Sequence, residues 1–407
     1  MVPKLRFPEF RDAGKWEEKT LGKLGEFTGG GTPSKAIDSF WKGTIPWVSS
    51  SDIFEDSIHQ FKISRFITEE ALKDSATKMV PENSILLVSR VGFGKLAISR
   101  QSVCTSQDFT NFTPYKDNLL FLAYYLKFKS KTLLEYCQGM AIKGFTKDDI
   151  TKLNILLPSI REQQKIASCL SSLDELISAQ NQKLETLKTH KKGLIKQLFP
   201  VEGETLPKSR FPEFRNDEEW EETTLEQIAD YENGKAHEND ISESGVFIVV
   251  NSKFISTDGD IKKFTNEAFC VAKKENILMV LSDLPNGRAL AKCFFIDTDN
   301  QYTVNQRICK ITPLRAVGLM LFYTLNRNPY FLRFDDGVKQ TNLKKEDVLN
   351  CPLLLPKDPK EQQKIADCLY SIDELITAQS QKLEALKVHK KGLMQQLFPN
   401  VEEENHE

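Results

Sequence analysis

Polar and basic side chains recur in loops of this 407-residue chain, and their chemistry suits hydrogen bonding to a ligand. Residues 89–95 carry Arg90 and Lys95 around two glycines, which allow a ligand to approach the backbone closely. The amide of Gln107 and the guanidinium of Arg307 can each form paired hydrogen bonds with the edge of a nucleic-acid base. The full set of candidate contacts is Thr32, Ser34, Lys35, Arg90, Lys95, Gln107, Lys143, Thr146, Lys235, Lys253, Asn286, Arg288, Gln306, Arg307, Lys339 and Gln340. Any single one is more simply explained as part of a solvated turn, so the prediction depends on the set.

Motifs for catalysis within the chain are incomplete. Residues 29–35 form a glycine-rich loop without the spacing of a phosphate-binding P-loop, and Gly92 and Gly94 lack the third glycine of a dinucleotide-binding fingerprint. Residues 328–331 read NPYF, which resembles part of an amino-methyltransferase motif without its second proline, and we interpret them as a turn. The five histidines suggest neither a catalytic triad nor a metal-binding spacing. The sequence therefore favours binding over chemistry performed by this chain.

The chain contains two tandem copies of one sequence unit. Residues 161–200 and 360–399 match at an offset of 199, with 30 of the 40 positions identical. The hexapeptide RFPEFR occurs at residues 6–11 and again at residues 210–215. Between these landmarks the two copies match faintly, so we predict two blocks that share a fold but differ at their surfaces. Two similar scaffolds with different faces suggest two related tasks on two targets. The alternative is a tandem duplication whose two copies diverged in sequence without acquiring different functions.

The strongly repeated segments predict long coiled-coil helices. In the first copy, seam residues recur at alternating spacings of four and three from Ile166 to Leu198, and no proline interrupts them before Pro200. Each copy carries one glutamine and one lysine at the same seam positions, namely Gln180, Lys191, Gln379 and Lys390. A glutamine in the seam penalises slipped registers, because an unpaired buried amide is unfavourable. We predict that the two helices pair in antiparallel orientation about a pseudo-two-fold axis and form a rod that separates two globular domains.

Short strand-like runs separated by polar turns dominate the variable blocks. The clearest of these runs are residues 84–89, 153–157, 246–250 and 277–282. Helical stretches are predicted at residues 119–131 and 317–325. This pattern indicates a mixed α/β (α+β) fold, with two globular domains joined by two long antiparallel coiled-coil helices. The eight cysteines are scattered singly, so we expect reduced, mostly buried thiols.

Composition narrows the class of protein. The 55 basic and 57 acidic residues give a net charge of −2, so a nucleic-acid-binding surface would have to come from local clustering. Residues 1–160 carry 22 basic and 18 acidic residues, whereas residues 201–360 carry 21 and 26. The first residues contain no apolar signal-peptide core, and no apolar run approaches the ~18 residues that span a bilayer. We therefore expect a soluble cytoplasmic protein.

The repeated motifs resemble those of the specificity (S) subunit of bacterial Type I restriction-modification systems. Residues 155–158 and 162–167 read ILLP and EQQKIA, and residues 353–356 and 361–366 read LLLP and EQQKIA. Residues 32–53 hold TPS, a tryptophan, IPW and Asp-Ile in an order similar to the signature of target-recognition domains. The second block lacks that signature, which fits a recognition domain of different specificity. The resemblance covers essentially the whole chain.

This resemblance implies a division of labour. Each variable block would be a target-recognition domain that reads one half of a bipartite double-stranded DNA target, and the paired helices would set the spacer between the halves. Two methylation (M) subunits would bind along the helices and the RFPEFR segments, carry S-adenosylmethionine and flip out the target adenine. Two restriction (R) subunits, which use ATP and Mg²⁺, would complete the nuclease. No cofactor is expected on this chain itself.

We therefore predict five parts. They are the first target-recognition domain with its RFPEFR segment, residues 1–158; the first spacer helix, 159–200; the second domain with its RFPEFR segment, 201–357; the second spacer helix, 358–399; and an acidic tail, 400–407. Two alternatives remain open: a coiled-coil scaffold without DNA specificity, and a single-chain adenine methyltransferase. DNA affinity of the assembled complex tests the first alternative, and cofactor binding by the isolated chain tests the second.

Overall fold

The computed structural model divides the chain into two compact units. It describes residues 1–90, 94–137, 145–237, 239–285, 287–299 and 302–399, with the backbone alone for 131–137. The first unit comprises Met1–Lys183 and Gln379–Glu407, and the second comprises Leu184–Ala378. Each unit thus contains one variable block and a part of both long helices. Within the described residues, no helix is long and apolar enough to cross a membrane.

The described part of the first unit is built from short strands and helices. Its strands are β1 (Glu17–Thr20), β2 (Gly25–Gly29), β3 (Ile45–Val48), β4 (Arg65–Ile67), β5 (Met79–Val80), β6 (Ser84–Leu87), β7 (Leu96–Ser99), β8 (Val103–Thr105), β9 (Thr110–Pro114) and β10 (Asn154–Leu157). Its α-helices are α1 (Glu69–Asp74), α2 (Leu119–Cys137), α3 (Lys147–Thr151) and the first part of α4 (Ile160–Leu198). Short 3₁₀ helices lie at Pro8–Phe10, Leu21–Lys23, Asp38–Trp41 and Ser50–Asp52.

Two four-stranded sheets form the body of this unit. Their strand orders are β2-β9-β6-β7 and β4-β3-β8-β5, and β1 pairs with β10 beside them. All pairs are antiparallel except β3 with β8, where Trp47 lies opposite Cys104. Strands β6 and β7 are buried along their full length, which fits their continuous apolar sequence. The core of the unit continues from these sheets through Phe121 and Tyr125 of α2 to Phe398.

The second unit contains the equivalent elements. Its strands are β11 (Glu221–Thr224), β12 (Ala229–Asn233), β13 (Phe247–Val250), β14 (Phe264–Thr265), β15 (Val271–Ala272), β16 (Ile277–Val280), β17 (Ser282–Asp283), β18 (Cys293–Phe295), β19 (Tyr302–Val304), β20 (Ile308–Pro313), β21 (Thr341–Asn342) and β22 (Pro352–Leu355). Its helices are α5 (Leu225–Ile228), α6 (Ser252–Ser256), α7 (Gly318–Leu325), α8 (Pro329–Leu332), α9 (Lys345–Leu349) and the first part of α10 (Pro359–Leu397), with a 3₁₀ turn at Pro212–Phe214.

The two units share one sheet topology. The second unit has sheets of order β12-β20-β16-β18 and β14-β13-β19-β15, together with the pair β11-β22. Among its described strands, β13 and β19 form the parallel pair, which corresponds to β3 with β8. The second unit adds a short pair, β17 with β21. The prediction that both variable blocks share a mixed helix and strand fold is therefore confirmed.

Most predicted elements occur with slightly different bounds. The predicted helices at residues 119–131 and 317–325 are α2 and α7. The four strand-like runs contain β6, β10, β13 and β16, each ending or beginning within two residues of its predicted bounds. Hydrophobic pattern therefore located these elements, whereas the order of strands in the sheets was not predictable from the faintly repeated runs.

Residues 328–331, predicted as a turn, instead begin a short helix. The side chain of Asn328 accepts a hydrogen bond from Tyr330 N at 2.9 Å, and Pro329 is the first residue of α8. Asparagine at the cap and proline at the first helical position are both favoured at helix starts. The prediction of a turn is wrong, and the motif caps a helix here.

The cysteines whose side chains the structure describes are free thiols. Of the seven whose side chains are described, five are buried and two are partly exposed. Burial raises the pKa of Cys104 to about 11 and that of Cys309 to about 12, so both stay protonated near neutral pH. The expectation of reduced, mostly buried thiols is confirmed for these seven. Within the described residues, no cluster of three potential metal ligands occurs.

The long helices pair in antiparallel orientation inside each unit. In the first unit, Gln379 Nε2 donates to Gln180 Oε1 at 2.7 Å, and Lys390 forms an ion pair with Asp174. From Asp174 to Gln180 the residue numbers in α4 rise, whereas those of their partners in α10 fall from 390 to 379. The two helices therefore run antiparallel. In the second unit, Lys191 Nζ donates to both carboxylate oxygens of Asp373 at 2.6 and 2.7 Å. The polar residues of the predicted seam therefore pair across it.

A tyrosine joins each variable block to this helix pair. Tyr124 of α2 donates to Asp174 at 2.6 Å, and Tyr323 of α7 donates to Asp373 at 2.7 Å. Burial alone would raise the pKa of Asp174. Hydrogen bonds from His59, Lys390 and Tyr124 outweigh burial, so the pKa is lowered and the carboxylate stays charged.

The glutamate and the first glutamine of each EQQKIA motif form hydrogen bonds within their own unit. Arg6 of the first RFPEFR segment donates two hydrogen bonds to Glu162, both at 2.7 Å, and the side chains are 7% and 1% exposed. Gln163 accepts from the backbone N of Asn118 at 2.9 Å, and Asn118 in turn caps α2 by accepting from Phe121 N at 2.9 Å. Arg210 binds Glu361 in the same way. The first arginine of each segment is thus an internal anchor rather than an exposed docking residue.

Candidate nucleic-acid interface

Main-chain hydrogen bonds bring several predicted loops of the first unit together. Gly31 N donates to Thr105 O, Ser89 N donates to Asp108 O, and Phe145 N donates to Ser89 O, each at 2.8 Å. These bonds link segments that are distant in sequence but follow the same ends of β2, β6 and β8. We call residues 29–37, 89–90, 94–95, 105–108 and 145–146 the first loop cluster.

Two tryptophans of the target-recognition signature shape this cluster. The indole of Trp47 donates to Gly31 O at 2.9 Å, and the indole of Trp41 donates to Ser34 O at 3.2 Å. The two rings pack edge to face with centroids 5.0 Å apart. A Cβ at Gly30 would lie 1.9 Å from the carbonyl oxygen of Ser106, so the close approach of the loop requires glycine. The signature therefore builds the loop that carries the predicted contacts.

The predicted residues of the first unit occupy this cluster in different ways. Thr32 hydrogen-bonds to Gln107, so the structure brings two candidates from separate loops together. The remaining described candidates of this cluster expose part or all of their side chains and are Ser34, Lys35, Arg90 and Lys95. Lys143 lies outside the described residues.

Thr146 has a structural task. Its hydroxyl donates to Asp149 Oδ2 at 2.7 Å and accepts from Asp149 N at 3.2 Å, which forms a capping box at the start of α3. In the second unit, Lys344 occupies the equivalent cap of α9. Thr146 and Lys344 are therefore equivalent positions in the two units.

A second loop cluster has the same connections. They are main-chain hydrogen bonds from Lys235 N to Val304 O, from Leu281 N to Arg307 O and from Leu343 N to Leu281 O, at 3.0, 2.9 and 2.8 Å. We call residues 234–237, 282–285, 287–288, 305–307 and 338–343 the second loop cluster. The two units thus present loops at matching places on matching sheets.

In the second cluster a buried histidine hydrogen-bonds to a loop carbonyl, as the indole of Trp47 does in the first cluster. His237 is fully buried, and its Nδ1 donates to Lys235 O at 2.7 Å because a carbonyl can only accept. Its Nε2 lies 3.0 Å from Thr303 Oγ1, and its ring packs 5.0 Å from Phe269. The sequence analysis missed this positioning residue, because its partners become neighbours only through the pairing of distant strands.

The predicted residues of the second unit also lie in or beside its cluster. Gln340 Nε2 donates to Ser282 Oγ at 2.6 Å, which joins two of the loops. Lys253 lies in α6, directly after β13. The other described candidates are exposed, namely Lys235, Arg288, Gln306, Arg307 and Lys339. Asn286 lies outside the described residues.

Ion pairing distinguishes the basic candidate residues from basic residues that serve the fold. Lys310 pairs with Glu232, which lowers the pKa of that carboxylate, and it also donates to Val271 O at 3.1 Å. By contrast, Lys35, Arg90 and the other described basic candidates form no ion pair within the part of the chain that the structure describes. An exposed, unpaired cation is available for a phosphate group.

Comparison with known proteins identifies what the whole chain is similar to. A family model described as Type I restriction modification DNA specificity domain matches twice, at residues 13–189 and 217–388. The two matches coincide with the two copies of the repeat.

Individual relatives agree with this family match. The MjaIX specificity subunit of Methanocaldococcus jannaschii is 35% identical over 192 residues, which covers 45% of this chain and 44% of that protein. The MjaVIII specificity subunit of the same organism is 26% identical over 414 residues, covering 97% and 93%. The alignment with the first relative therefore spans less than half of its length, whereas the second spans nearly all.

A solved structure shares the fold. The S subunit of a Type I restriction-modification system from M. genitalium has a TM-score of 0.65 and 17% sequence identity with this chain. The superposition covers 98% of this chain and all of the other. The duplicated architecture is thus present in an experimental structure of low sequence identity.

Proposed function

The chain belongs to the family of Type I restriction-modification DNA specificity domains, and from this premise we propose that each unit reads one half of a bipartite double-stranded DNA target. The observation that carries the proposal is one sheet topology present twice with different loops on it. A common scaffold gives each unit the same way to approach DNA, whereas different loops give each unit its own sequence preference.

Reading would combine two kinds of contact. Exposed, unpaired cations such as Arg90 and Lys339 would bind phosphates and set the register of each unit on the duplex. Amides such as those of Gln107 and Gln306 would hydrogen-bond to base edges, where sequence is distinguished. Because the first contribution is electrostatic, binding should weaken as salt concentration rises.

The paired helices would hold the two readers at a fixed spacing. Both helices continue from one unit into the other, and the Gln180–Gln379 pair opposes slippage of one helix along the other. A fixed register would translate into a fixed number of unread base pairs between the two half-sites.

Equivalent surfaces on the two units support recruitment of two identical methylation subunits. Tyr115 and Leu314 occupy equivalent positions after β9 and β20 and are 67% and 60% exposed. Leu176 and Leu375 occupy equivalent positions on α4 and α10 and are also exposed. We propose that S-adenosylmethionine is bound by these partners, that ATP and Mg²⁺ serve two restriction subunits, and that this chain carries no cofactor.

Mapping of methylated adenines tests the bipartite proposal. The chain is co-expressed with its methylation subunit, and modified positions are located in the host genome by single-molecule sequencing. We expect two short defined sequences around a constant gap. Replacing residues 20–150 with the block of another specificity subunit should change one half alone. A continuous motif, or no motif, would contradict the two-reader proposal and favour a scaffold without DNA specificity.

A further inference from the structure

Two strongly exposed apolar side chains lie in the second loop cluster. Leu284 is 69% exposed and Val338 is 75% exposed. They share their loops with Arg288, Lys339 and Gln340, which are polar or basic and are also exposed. A single exposed apolar residue is ordinary on a protein surface. Here two exposed apolar residues lie among the residues proposed to contact DNA. An apolar group on the DNA is therefore a candidate for recognition by this surface.

Leu284 is held in place by a tight turn. Its carbonyl accepts a hydrogen bond from Gly287 N at 2.9 Å, and Pro285 at the second turn position restricts the backbone. The carboxylate of Asp283 accepts from Leu284 N at 2.8 Å and from Ala289 N at 2.6 Å. The leucine is therefore presented from an ordered turn, which reduces the entropy lost when it makes a contact.

Val338 is presented in a similar way from the neighbouring loop. The Asp336 carboxylate accepts from Val338 N at 2.9 Å and from Lys339 N at 3.0 Å. The two loops are joined because β17 pairs with β21, with Asp283 opposite Thr341. Both apolar side chains thus project from loops at the same end of the paired strands.

We propose that Leu284 and Val338 contact the 5-methyl group of thymine in the half-site read by the second unit, an inference that rests on the proposed function. In the major groove, the thymine methyl is the apolar group that distinguishes base pairs, and aliphatic side chains recognise it by direct contact. Arg288 and Lys339 flank the two residues in sequence and carry the positive charge needed beside phosphates. The apolar pair would make this unit sensitive to a group that hydrogen bonds cannot read.

Replacement of thymine by deoxyuridine tests this contact, because it removes the methyl group alone. The full chain is assembled with its methylation subunits, and binding is measured to duplexes carrying the mapped target with single substitutions in the second half-site. We expect at least one thymine whose replacement weakens binding of the unaltered protein about fourfold, the effect of one buried methyl group. Leu284→Ala or Val338→Ala, which shorten the apolar side chain, should bind the two duplexes about equally at that position.

Val246→Ala is the matched control. Val246 is 74% exposed and precedes β13, so it lies outside the second loop cluster. This variant should keep the full sensitivity to deoxyuridine. If no thymine in this half-site is sensitive, or if the variants keep the sensitivity, the inference is overturned. Loss of methylation subunits from the Leu284 or Val338 variants would identify a protein contact and overturn it too. Failure of the unaltered complex to bind any bipartite duplex would instead contradict the proposed function.

Discussion

At the scale of residues, ion pairing divides the basic side chains into two groups. Arg6, Arg210 and Lys310 are paired within the fold, whereas the basic candidates of the loop clusters are exposed or, for Lys95, half-buried. Since a paired cation would have to break its bond before binding a phosphate, the exposed group is the better predictor of DNA contacts. Residue type alone could not make this distinction, because lysine and arginine occur in both groups.

The basic residues Arg90, which is exposed, and Lys95, which is half-buried, give a direct test. We expect alanine at both positions to weaken DNA binding by the assembled methyltransferase and to reduce the slope of log affinity against log salt by about two, since each phosphate contact contributes about 0.9. Equilibrium binding over a range of salt concentrations measures this. Arg100→Ala, beyond the opposite end of β7, is the control and should leave the slope unchanged. Unchanged binding by the double variant would contradict the assignment of this loop.

The buried pair Arg6 and Glu162 gives a test of stability. We expect Glu162→Gln to destabilise the first unit by about 3–5 kcal/mol, because the Arg6 charge is left buried without a counter-charge. Calorimetry should show its unfolding transition at lower temperature. Glu9→Gln is the control, because its bond to Lys165 is about half exposed and worth about 0–1 kcal/mol. Equal effects of both variants would show that burial of the pair is unimportant.

At the scale of elements, the helix pair combines an apolar seam with a few polar contacts that select one register. The glutamine pair opposes slippage by hydrogen bonding, and the lysine–aspartate pairs add charge at defined positions. Tyrosines from α2 and α7 join those aspartates, so each variable block is attached at the point where the register is set.

The glutamine pair can be examined by a double-mutant cycle. Gln180→Leu should cost about 1–3 kcal/mol, because the buried amide of Gln379 loses Gln180 Oε1 as an acceptor and keeps only the Gln180 carbonyl, at 2.9 Å. Leucine at both positions should be nearly neutral or stabilising, since no buried polar group remains unsatisfied. Unfolding free energies of the two single variants and the double variant measure the coupling. Additive single effects would show that the pair does not act as a unit.

At the scale of the whole molecule, the first unit depends on both ends of the chain. Leu5 N donates to Gln396 O at 3.0 Å, and Phe398 is 1% exposed. The Phe398 ring centroid lies 5.7 Å from that of Phe121 and 5.5 Å from that of Tyr125. The second unit, Leu184–Ala378, is by contrast a single continuous segment.

Truncation tests this asymmetry. A chain that ends at Ala378 should lose protection from hydrogen exchange in α2, because removal of the 379–399 segment uncovers Phe121 and Tyr125. The second unit should keep its protection. A chain that ends at Pro399 is the control, because it retains the Phe398 contacts. Unchanged protection of α2 in the shorter chain would show that the first unit folds without the second helix.

The sequence by itself determined the features that depend on local or repeated patterns. Heptad spacing predicted both long helices, and an offset of 199 predicted two units of one fold. These inferences succeed because helix periodicity and duplication are properties of the chain as written. The glutamines and lysines in the seam were also recognisable as polar breaks.

Only the tertiary structure decided what those polar residues bind. Asp373 becomes the partner of Lys191, and Glu162 the partner of Arg6, through packing of segments more than 150 residues apart in sequence. Strand pairing likewise places Thr32 beside Gln107 and buries His237 under its loop. Partner choice depends on three-dimensional distance and burial, which one-dimensional spacing does not contain. For that reason the sequence predicted where polar residues lie along the chain, and the structure assigned their contacts.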